Sequence, residues 1–190
     1  HAESCASSCS WGMQLRSEGD RPHWNLVWQA KVPSKMRHFA WLEIVDALPT
    51  NACKAHHHIH VSATCRLCGE ANDSSFHALI TCPRSGELWD EMRQVWPLQA
   101  KELMLEIGQE WMFSILSVQN EEVRAIIIML LWRIWSLQNE ALHGKSTPPT
   151  EISRIFLCSY LSSYTQAQKY GIEDIIKGKM TIEEPCCSAT

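Results

Sequence analysis

The sequence predicts an all-α fold, and three observations support this prediction. Apolar residues recur at three- and four-residue intervals along most of the chain, which is the period of an amphipathic helix. No segment shows the strict alternation of apolar and polar residues that is typical of a half-buried strand. Prolines and glycines divide the chain into helix-length segments, and 190 residues with 45% hydrophobic content can bury a substantial core.

The first two predicted helices are separated by prolines. Residues 22–30 place Trp24, Val27 and Trp28 on one helical face. Pro33 suits the first turn of the second helix, which ends at the next proline in the chain. The apolar positions of this second helix follow the helical period and are Met36, Phe39, Ala40, Ile44 and Leu48.

Three further elements are predicted around the cysteine-rich centre of the chain. Thr50 is a candidate N-cap for a short helix that ends at His57. Residues 74–80 are predicted to form a helical turn, and Pro83 opens a longer helix that ends at the following proline. The apolar side of this longer helix consists of Leu88, Trp89, Met92 and Trp96.

The second half of the chain is predicted to contain three helices. Residues 98–116 continue amphipathically and are expected to pair antiparallel with the helix before them. Asn120 caps the longest helix, 121–143, whose central run is apolar on all sides but too short for a membrane span, so we expect it at the domain centre. The last helix covers 150–170, with these residues facing inward: Ile152, Ile155, Phe156 and Leu157.

One pattern carries specific chemistry. Cys65, Cys68, His77 and Cys82 follow the spacing C-x2-C-x8-H-x4-C, and Gly69 suits the tight turn after the second cysteine. Three thiolates and an imidazole are typical ligands of a structural zinc site, and four protein ligands leave no open position for catalysis. We therefore predict a helical bundle with a small CCHC zinc-knuckle element and Zn²⁺ as its cofactor. The alternative is a chance spacing of four residues.

The other cysteines show no recognisable pairing pattern. The chain has nine cysteines, and an odd number argues against a fully paired disulfide framework. The amino end lacks the continuous apolar stretch of a secretory signal. We therefore expect an intracellular protein, in the nucleus or the cytoplasm, with no membrane partner.

The residues around the metal pattern resemble a known family. Trp24-Asn-Leu-Val-Trp28, the segment 31–41 and Ala47-Leu-Pro-Thr50 precede the pattern, and Trp89 follows it. In order and spacing they resemble the zinc-binding domain that follows the polymerase in reverse transcriptases of plant non-LTR (LINE-type) retrotransposons. The run Leu131-Trp-Arg-Ile-Trp135 resembles the helical linker that leads toward a ribonuclease H-like domain in the same proteins. The resemblance implies a module that holds template RNA or target DNA near a polymerase active site.

This chain differs from the family in two respects. The stretch before the first cysteine, usually basic in the family, is rich in histidine here and only weakly charged at neutral pH. The paired aspartates of a polymerase and the clustered carboxylates of a ribonuclease H are not recognisable, so we predict a non-catalytic protein. It would be a fragment or a free-standing descendant of such an element.

Four regions are expected along the chain. Residues 1–20 are predicted to be a flexible amino-terminal tail, and residues 21–97 a zinc-binding domain. Residues 98–170 are predicted to form a helical bundle packed on that domain. Residues 171–190 are predicted to be a carboxyl-terminal tail.

Basic residues concentrate in the amino-terminal half, although the whole chain has a formal net charge of −4. Residues 21–68 hold six lysines and arginines against Glu43 and Asp46, so a nucleic acid would bind on this half. A solvated helix face is the alternative for these cations, and a weak second metal site is the alternative for the histidines. The candidate phosphate-binding residues are Lys31, Lys35, Arg37, His38, Lys54, His56, His57, His58 and His60.

Two functions remain open from the sequence. One is weak binding of RNA or DNA by a zinc-stabilised module. The other is a domesticated, retroelement-derived module that binds a protein partner through a tryptophan-rich surface, as a regulatory or toxin-like factor. The chain has nine tryptophans, and we interpret six of them as core anchors rather than base-stacking platforms. These six are Trp24, Trp28, Trp41, Trp89, Trp132 and Trp135.

Overall fold

A computed structural model describes residues 21–59, 62–69, 72–100, 103–104 and 108–180. None of these described residues lies in a strand, so the predicted all-α class is confirmed. The predicted tail over 1–20 lies outside the described residues. The helical elements, in chain order, are α1 (Arg21–Trp28), α2 (Ser34–Ile44), α3 (Asn51–His56), a π-helical turn (His77–Thr81), α4 (Pro83–Arg93), a 3₁₀ turn (Gly108–Glu110), α5 (Trp111–Ser117), α6 (Glu121–Leu142) and α7 (Thr150–Met180).

Helix α6 lies at the centre of the core because it is apolar on all sides. Residues 127–131 are all buried, and α2, α4, α7 and the π-helical turn pack against this helix. The core is continuous from Val27 to Leu157 and so includes residues on both sides of the predicted domain boundary at residue 97. None of the described helices is long and apolar enough to cross a membrane.

Two predicted helix caps are confirmed by hydrogen bonds. The Thr50 hydroxyl accepts the backbone N–H of Cys53 at 3.1 Å, and Asn120 Oδ1 accepts the backbone N–H of Val123 at 2.9 Å. These bonds satisfy backbone donors that have no partner within the first turn of a helix. The capping residues in the sequence therefore predicted where α3 and α6 begin.

The predicted helix over 98–116 is wrong. The described part of this segment contains only the 3₁₀ turn and the seven-residue α5, which packs on α1. Gly108 has a φ of 71°, a left-handed conformation that interrupts a right-handed helix. Leu103, an apolar residue of this segment, is 65% exposed. The expected antiparallel pairing of this segment with α4 is therefore also wrong.

The last helix was predicted with the wrong end and partly with the wrong face. It continues to Met180 because Gly171 alone does not stop a helix, so the first ten residues of the predicted tail over 171–190 are helical and the other ten lie outside the described residues. Ile152 and Ile155 are more than half exposed, whereas Ser153 and Leu157 are fully buried. The four predicted residues span too wide an arc of the helix to share one face, and the buried Ser153 accepts a hydrogen bond from Arg133 on α6 at 3.4 Å.

The tryptophans divide into buried and surface positions. Trp89 is fully buried, as predicted, and donates its indole N–H to the carbonyl oxygen of Leu79 at 2.9 Å. Trp28 is 47% exposed, so its assignment as a core anchor is wrong. The other four predicted anchors are only half-buried: Trp24, Trp41, Trp132 and Trp135.

Glu43 on α2 is a buried carboxyl group, although the sequence predicts it as one of two charges that oppose the basic residues of 21–68. Glu43 is 2% exposed, and its Oε1 accepts a hydrogen bond from the Ser75 hydroxyl at 3.1 Å. Burial raises the pKa of Glu43 to about 8, and the nearby Asp46 adds to this, while Ser75 and the Trp111 indole oppose it. Among the described residues, Glu43 Oε2 and the nearby Trp111 Nε1 are both buried without a hydrogen bond of normal geometry, so the indole offsets the effect of burial only weakly. Glu43 is therefore mainly protonated at neutral pH.

We predict that Glu43 makes the protein less stable as the pH rises. Its pKa is above the ordinary value of 4.5 in the folded chain, so the folded state keeps a proton that the unfolded state releases. The free energy of unfolding should fall by about 1 kcal/mol per pH unit between about pH 5 and about pH 8 from this group.

Urea unfolding of Glu43→Gln and of the wild type across this pH range measures the effect. The substitution keeps an acceptor for Ser75 and should remove this part of the slope, whereas Glu87→Gln, an exposed position on α4, should keep it. Equal slopes in the wild type and in Glu43→Gln would contradict the assignment.

Candidate metal centre

Cys65 and Cys68 lie in a tight turn between α3 and the π-helical turn. The turn is closed by a hydrogen bond from the backbone N–H of Gly69 to the carbonyl oxygen of Cys65 at 2.8 Å. Gly69 has a φ of 79°, which explains the glycine at this position because other residues rarely adopt that conformation. The turn directs both sulfur atoms to one side.

The π-helical turn aligns the other two candidate ligands. The backbone N–H of Cys82 donates to the carbonyl oxygen of His77 at 2.8 Å, which is the hydrogen bond between residues five apart that defines a π turn. An α-helix brings residues three or four apart onto one face, so the H-x4-C spacing needs the wider π turn. Pro83 follows as the first residue of α4.

All four predicted ligands converge. Their donor atoms lie within 4.8 Å of one another, and Cys68 Sγ is 3.3 Å from His77 Nε2. A tetrahedral zinc ion binds sulfur at about 2.3 Å and nitrogen at about 2.0 Å, which places neighbouring donors roughly 3.5 to 3.8 Å apart. The donors therefore fit one coordination shell with small side-chain adjustments. No disulfide bond joins any of the described cysteines.

Hydrogen bonds prepare the donors for an ion. The Thr81 hydroxyl lies 3.2 Å from His77 Nδ1, so with the ring proton on Nδ1 the Nε2 lone pair is directed at the sulfur atoms. Backbone N–H groups of Leu67 and Cys68 point at the Cys65 sulfur, and those at the start of α4 point at the Cys82 sulfur. These donors favour the thiolate form, which is the form that binds metal.

Burial opposes that ionisation when no cation is considered. It raises the pKa of Cys65, and it raises the pKa of Cys82 to about 12, with the Cys65 and Cys68 thiols adding to the effect on Cys82. A divalent ion reverses this balance because it deprotonates the thiols that it binds. The buried thiol cluster with its aligned N–H groups therefore suits a bound cation.

A hydrogen-bonded clamp joins the metal-binding loop to α3. Asn51 donates its backbone N–H to Asp73 Oδ2 at 3.1 Å and its side-chain amide to the Thr64 carbonyl oxygen at 2.9 Å. The Asp73 backbone accepts from Ala52 at 3.3 Å and donates to Ala63 at 2.7 Å. Both segments that lead to the ligands are thus tied to the first turn of α3.

The clamp was missed by sequence reasoning. Asn51 and Asp73 are 22 positions apart, and no local pattern marks such a pair. Both side chains are nearly fully buried, at 3% and 5% exposed. A six-residue helix has little stability by itself, so α3 depends on this clamp and on the Thr50 cap.

The predicted phosphate-binding residues of α2 and its approach already have partners. Lys31 forms an exposed ion pair with Glu121 at 3.3 Å, and Arg37 donates to the Trp28 carbonyl oxygen at 3.1 Å. Lys35 lies over aromatic rings, and the His38 ring stacks on Trp41 at 5.5 Å. These residues stay candidates, but they do not form a simple row of solvated charges.

The predicted histidine cluster follows α3. His56, His57 and His58 are exposed, the rings of His56 and His57 stack at 5.5 Å, and Lys54 is half-buried. His60 lies outside the described residues. Within the described residues, the four ligands above are the only group of three or more such side chains close enough to hold a metal, so a second site by the histidines has no support there.

Comparison with known proteins confirms the resemblance. Residues 6–89 match the family described as zinc-binding in reverse transcriptase. An Arabidopsis thaliana protein that carries the name of a ribonuclease H protein is 24% identical over 127 residues, which is 65% of this chain and 20% of that protein. This alignment is longer than the family match, so the similarity reaches beyond the metal-binding part. The chain spans about a fifth of the length of this relative. No solved structure matches the chain.

We predict that Asp73→Ala loosens α3 together with the metal-binding loop. The change removes the buried acceptor of the Asn51 N–H, which should lower the free energy of unfolding by about 1 to 3 kcal/mol. Hydrogen exchange of the α3 amides should accelerate more than that of α6, because α6 has its own cap and core contacts.

Asp90→Ala is the matched control, since it removes a carboxylate from an exposed position on α4. It should change stability by no more than about 0.5 kcal/mol. Unchanged exchange of the α3 amides in Asp73→Ala would show that the clamp does not hold this helix.

Proposed function

We propose that this chain is a non-catalytic, zinc-organised module of the reverse transcriptase zinc-binding type that binds RNA or DNA weakly. The observation that carries the proposal is the convergence of three cysteines and one histidine within the segment that matches this family. Four protein ligands complete a tetrahedron, so the ion shapes the fold and leaves no position for a substrate.

The donor chemistry favours zinc over other common ions. Magnesium and calcium prefer oxygen ligands, whereas three thiolates and an imidazole suit a tetrahedral zinc ion. The four ligands would be Cys65, Cys68, His77 and Cys82, and Thr81 would orient the histidine ring. When bound, the ion supplies a fixed crosslink between the turn at Cys65 and the start of α4.

The local charge supports a nucleic acid as the ligand. Glu43 is buried and mainly protonated at neutral pH, so Asp46 alone opposes the six lysines and arginines of residues 21–68. Arg66 within the metal-binding turn and Arg84 just after the last ligand are both exposed. A zinc ion with three thiolates carries a net charge of −1, which these two arginines outweigh.

The affinity should be modest and strongly dependent on salt. The chain as a whole carries a formal charge of −4, so only its basic part attracts phosphate groups. The relative named for ribonuclease H is consistent with a region that works on nucleic acid.

Binding of a protein partner is the second candidate function. Large apolar side chains are exposed on separate parts of the described surface, including Trp28 on α1 and Ile152 with Ile155 on α7. A domesticated module that has lost its nucleic-acid role would use such positions. Stoichiometric co-purification of one protein, together with no binding of nucleic acid, would favour this candidate.

We predict one zinc ion per chain after purification without a histidine tag. Cys82→Ser should lose the ion and lower the helical signal in circular dichroism, because the start of α4 is then released from the metal-binding turn. Cys158→Ser is the control, since this cysteine lies on α7 away from the four ligands and should keep the ion. Elemental analysis gives the metal content, and an iron- or magnesium-loaded protein would refute the zinc assignment.

We also predict salt-dependent binding that needs the arginines around the metal centre. In a gel-shift titration, raising the salt from about 50 to about 200 mM should weaken binding at least tenfold, as expected when several phosphate contacts are lost. The double variant Arg66→Ala with Arg84→Ala should bind more weakly and show a shallower salt dependence.

The matched control is Lys145→Ala, an exposed cation in the carboxyl-terminal half. It should bind like the wild type. If neither RNA nor DNA is shifted even at low salt, nucleic-acid binding is refuted and the protein-partner candidate moves ahead.

A further inference from the structure

An aromatic strip crosses the surface where α2, α6 and α7 meet. We define it by five side chains in spatial order: Arg133, Phe156, Tyr160, Lys35 and Trp132. The Arg133 guanidinium lies 4.8 Å from the centre of the Phe156 ring, which is 5.5 Å from the Tyr160 ring. The Lys35 ammonium lies 5.2 Å from the Tyr160 ring and 4.4 Å from the Trp132 ring. Two cations and three rings are therefore in contact with one another across three helices.

The strip is accessible to a ligand. Lys35 is exposed, and the three rings are half-buried at the edge of the core, so part of each remains open to solvent. The Arg133 guanidinium is directed at the buried Ser153 hydroxyl at 3.4 Å, so Lys35 is the accessible cation of the strip. Lys35 forms no ion pair with any described residue, and its charge is held over rings instead of a carboxylate. The sequence predicts Trp132 as a core anchor, and in the structure its side chain packs on the core but keeps part of the ring exposed.

The exposed face of α2 extends the strip. His38 follows Lys35 by three residues, and Trp41 follows His38 by three, so the three side chains lie along one side of the helix. The His38 and Trp41 rings stack at 5.5 Å with an angle of 23° between their planes. A pair of stacked rings thus lies next to Lys35 along the same helix.

We infer that this surface binds unpaired bases, so that the nucleic acid of the proposed function is single-stranded. The inference rests on the proposed function and adds the class of ligand and the place where its bases bind. A single strand repeats a phosphate and a base with a free face, and a surface that holds an exposed cation between aromatic rings offers a partner to each of them. In a duplex the base faces are covered by their neighbours, so the rings would gain no stacking contact.

The aromatic rings also distinguish the strip from the cations near the metal centre. Arg66 and Arg84 offer charge and can contact phosphate groups of either a single strand or a duplex. The rings of Trp132 and Tyr160 gain a stacking contact only from a ligand that presents a flat, unpaired base. Preference for single strands is therefore the property that belongs to the strip.

The test compares an oligouridine of about 12 nucleotides with a blunt duplex of the same length, by fluorescence anisotropy at low salt. The zinc-loaded wild type should bind the single strand about tenfold more tightly than the duplex. Tyr160→Leu keeps an apolar side chain but removes the ring, and it should weaken single-strand binding about tenfold while leaving duplex binding unchanged. Lys145→Gln, an exposed cation outside both the strip and the candidate phosphate-binding residues, is the control and should keep the preference.

A crosslinking measurement uses the wild type alone, so its result does not depend on whether a variant folds. An oligonucleotide with 4-thiouridine, irradiated in complex with the wild type, should crosslink to peptides of α6 and α7 that contain Trp132 or Tyr160. Equal affinity for both ligands, with crosslinks confined to the segment 62–84, would overturn the strip while leaving the proposed function intact. Binding of neither ligand would refute the proposed function itself. A protein partner that occupies the strip and excludes the oligonucleotide would also overturn the inference.

Discussion

The conformation of the described residues between Thr50 and Cys82 depends on four donor side chains whose donor atoms lie within 4.8 Å of one another. This segment has few apolar residues of its own before Phe76, so packing alone does not define its course. The turn at Gly69 directs two sulfur atoms inward, and the π-helical turn adds an imidazole and a third sulfur from residues five apart. A bound ion would replace the missing core by a single crosslink whose geometry is fixed.

The metal centre connects to the rest of the molecule in two directions. Toward α3, the buried pair of Asn51 and Asp73 transmits the position of both loop segments to a helix that is too short to be stable alone. Toward the core, Cys82 leads directly into α4, where Trp89 is fully buried and hydrogen-bonded to Leu79 on the π-helical turn. The order of the histidine-bearing helix and the docking of α4 are therefore linked through the same four ligands.

The two surfaces proposed for nucleic acid have different physical roles. The cations near the metal centre would attract the phosphate groups of a single strand and of a duplex alike. Burial of Glu43 as a neutral acid would strengthen this attraction. The aromatic strip lies on α2, α6 and α7, so it belongs to the helical core and would recognise base faces. An acidic chain can bind nucleic acid in this way because charge and stacking need only be favourable locally.

The sequence by itself determined the helical class, the caps at Thr50 and Asn120, the burial of the apolar run of α6, and the four residues that converge. Each of these follows from local chemistry: helical period, capping side chains, proline positions and ligand spacing. Tertiary structure alone decided that the turn at His77 is of the π type, that Asp73 pairs with Asn51, that Glu43 is buried, and which face of α7 packs inward. Periodicity shows that a helix has an apolar side, but the neighbours that cover it come from distant parts of the chain. On α7 the packing of α4 and α6 covers Ser153 and Leu157 and leaves Ile152 and Ile155 more than half exposed.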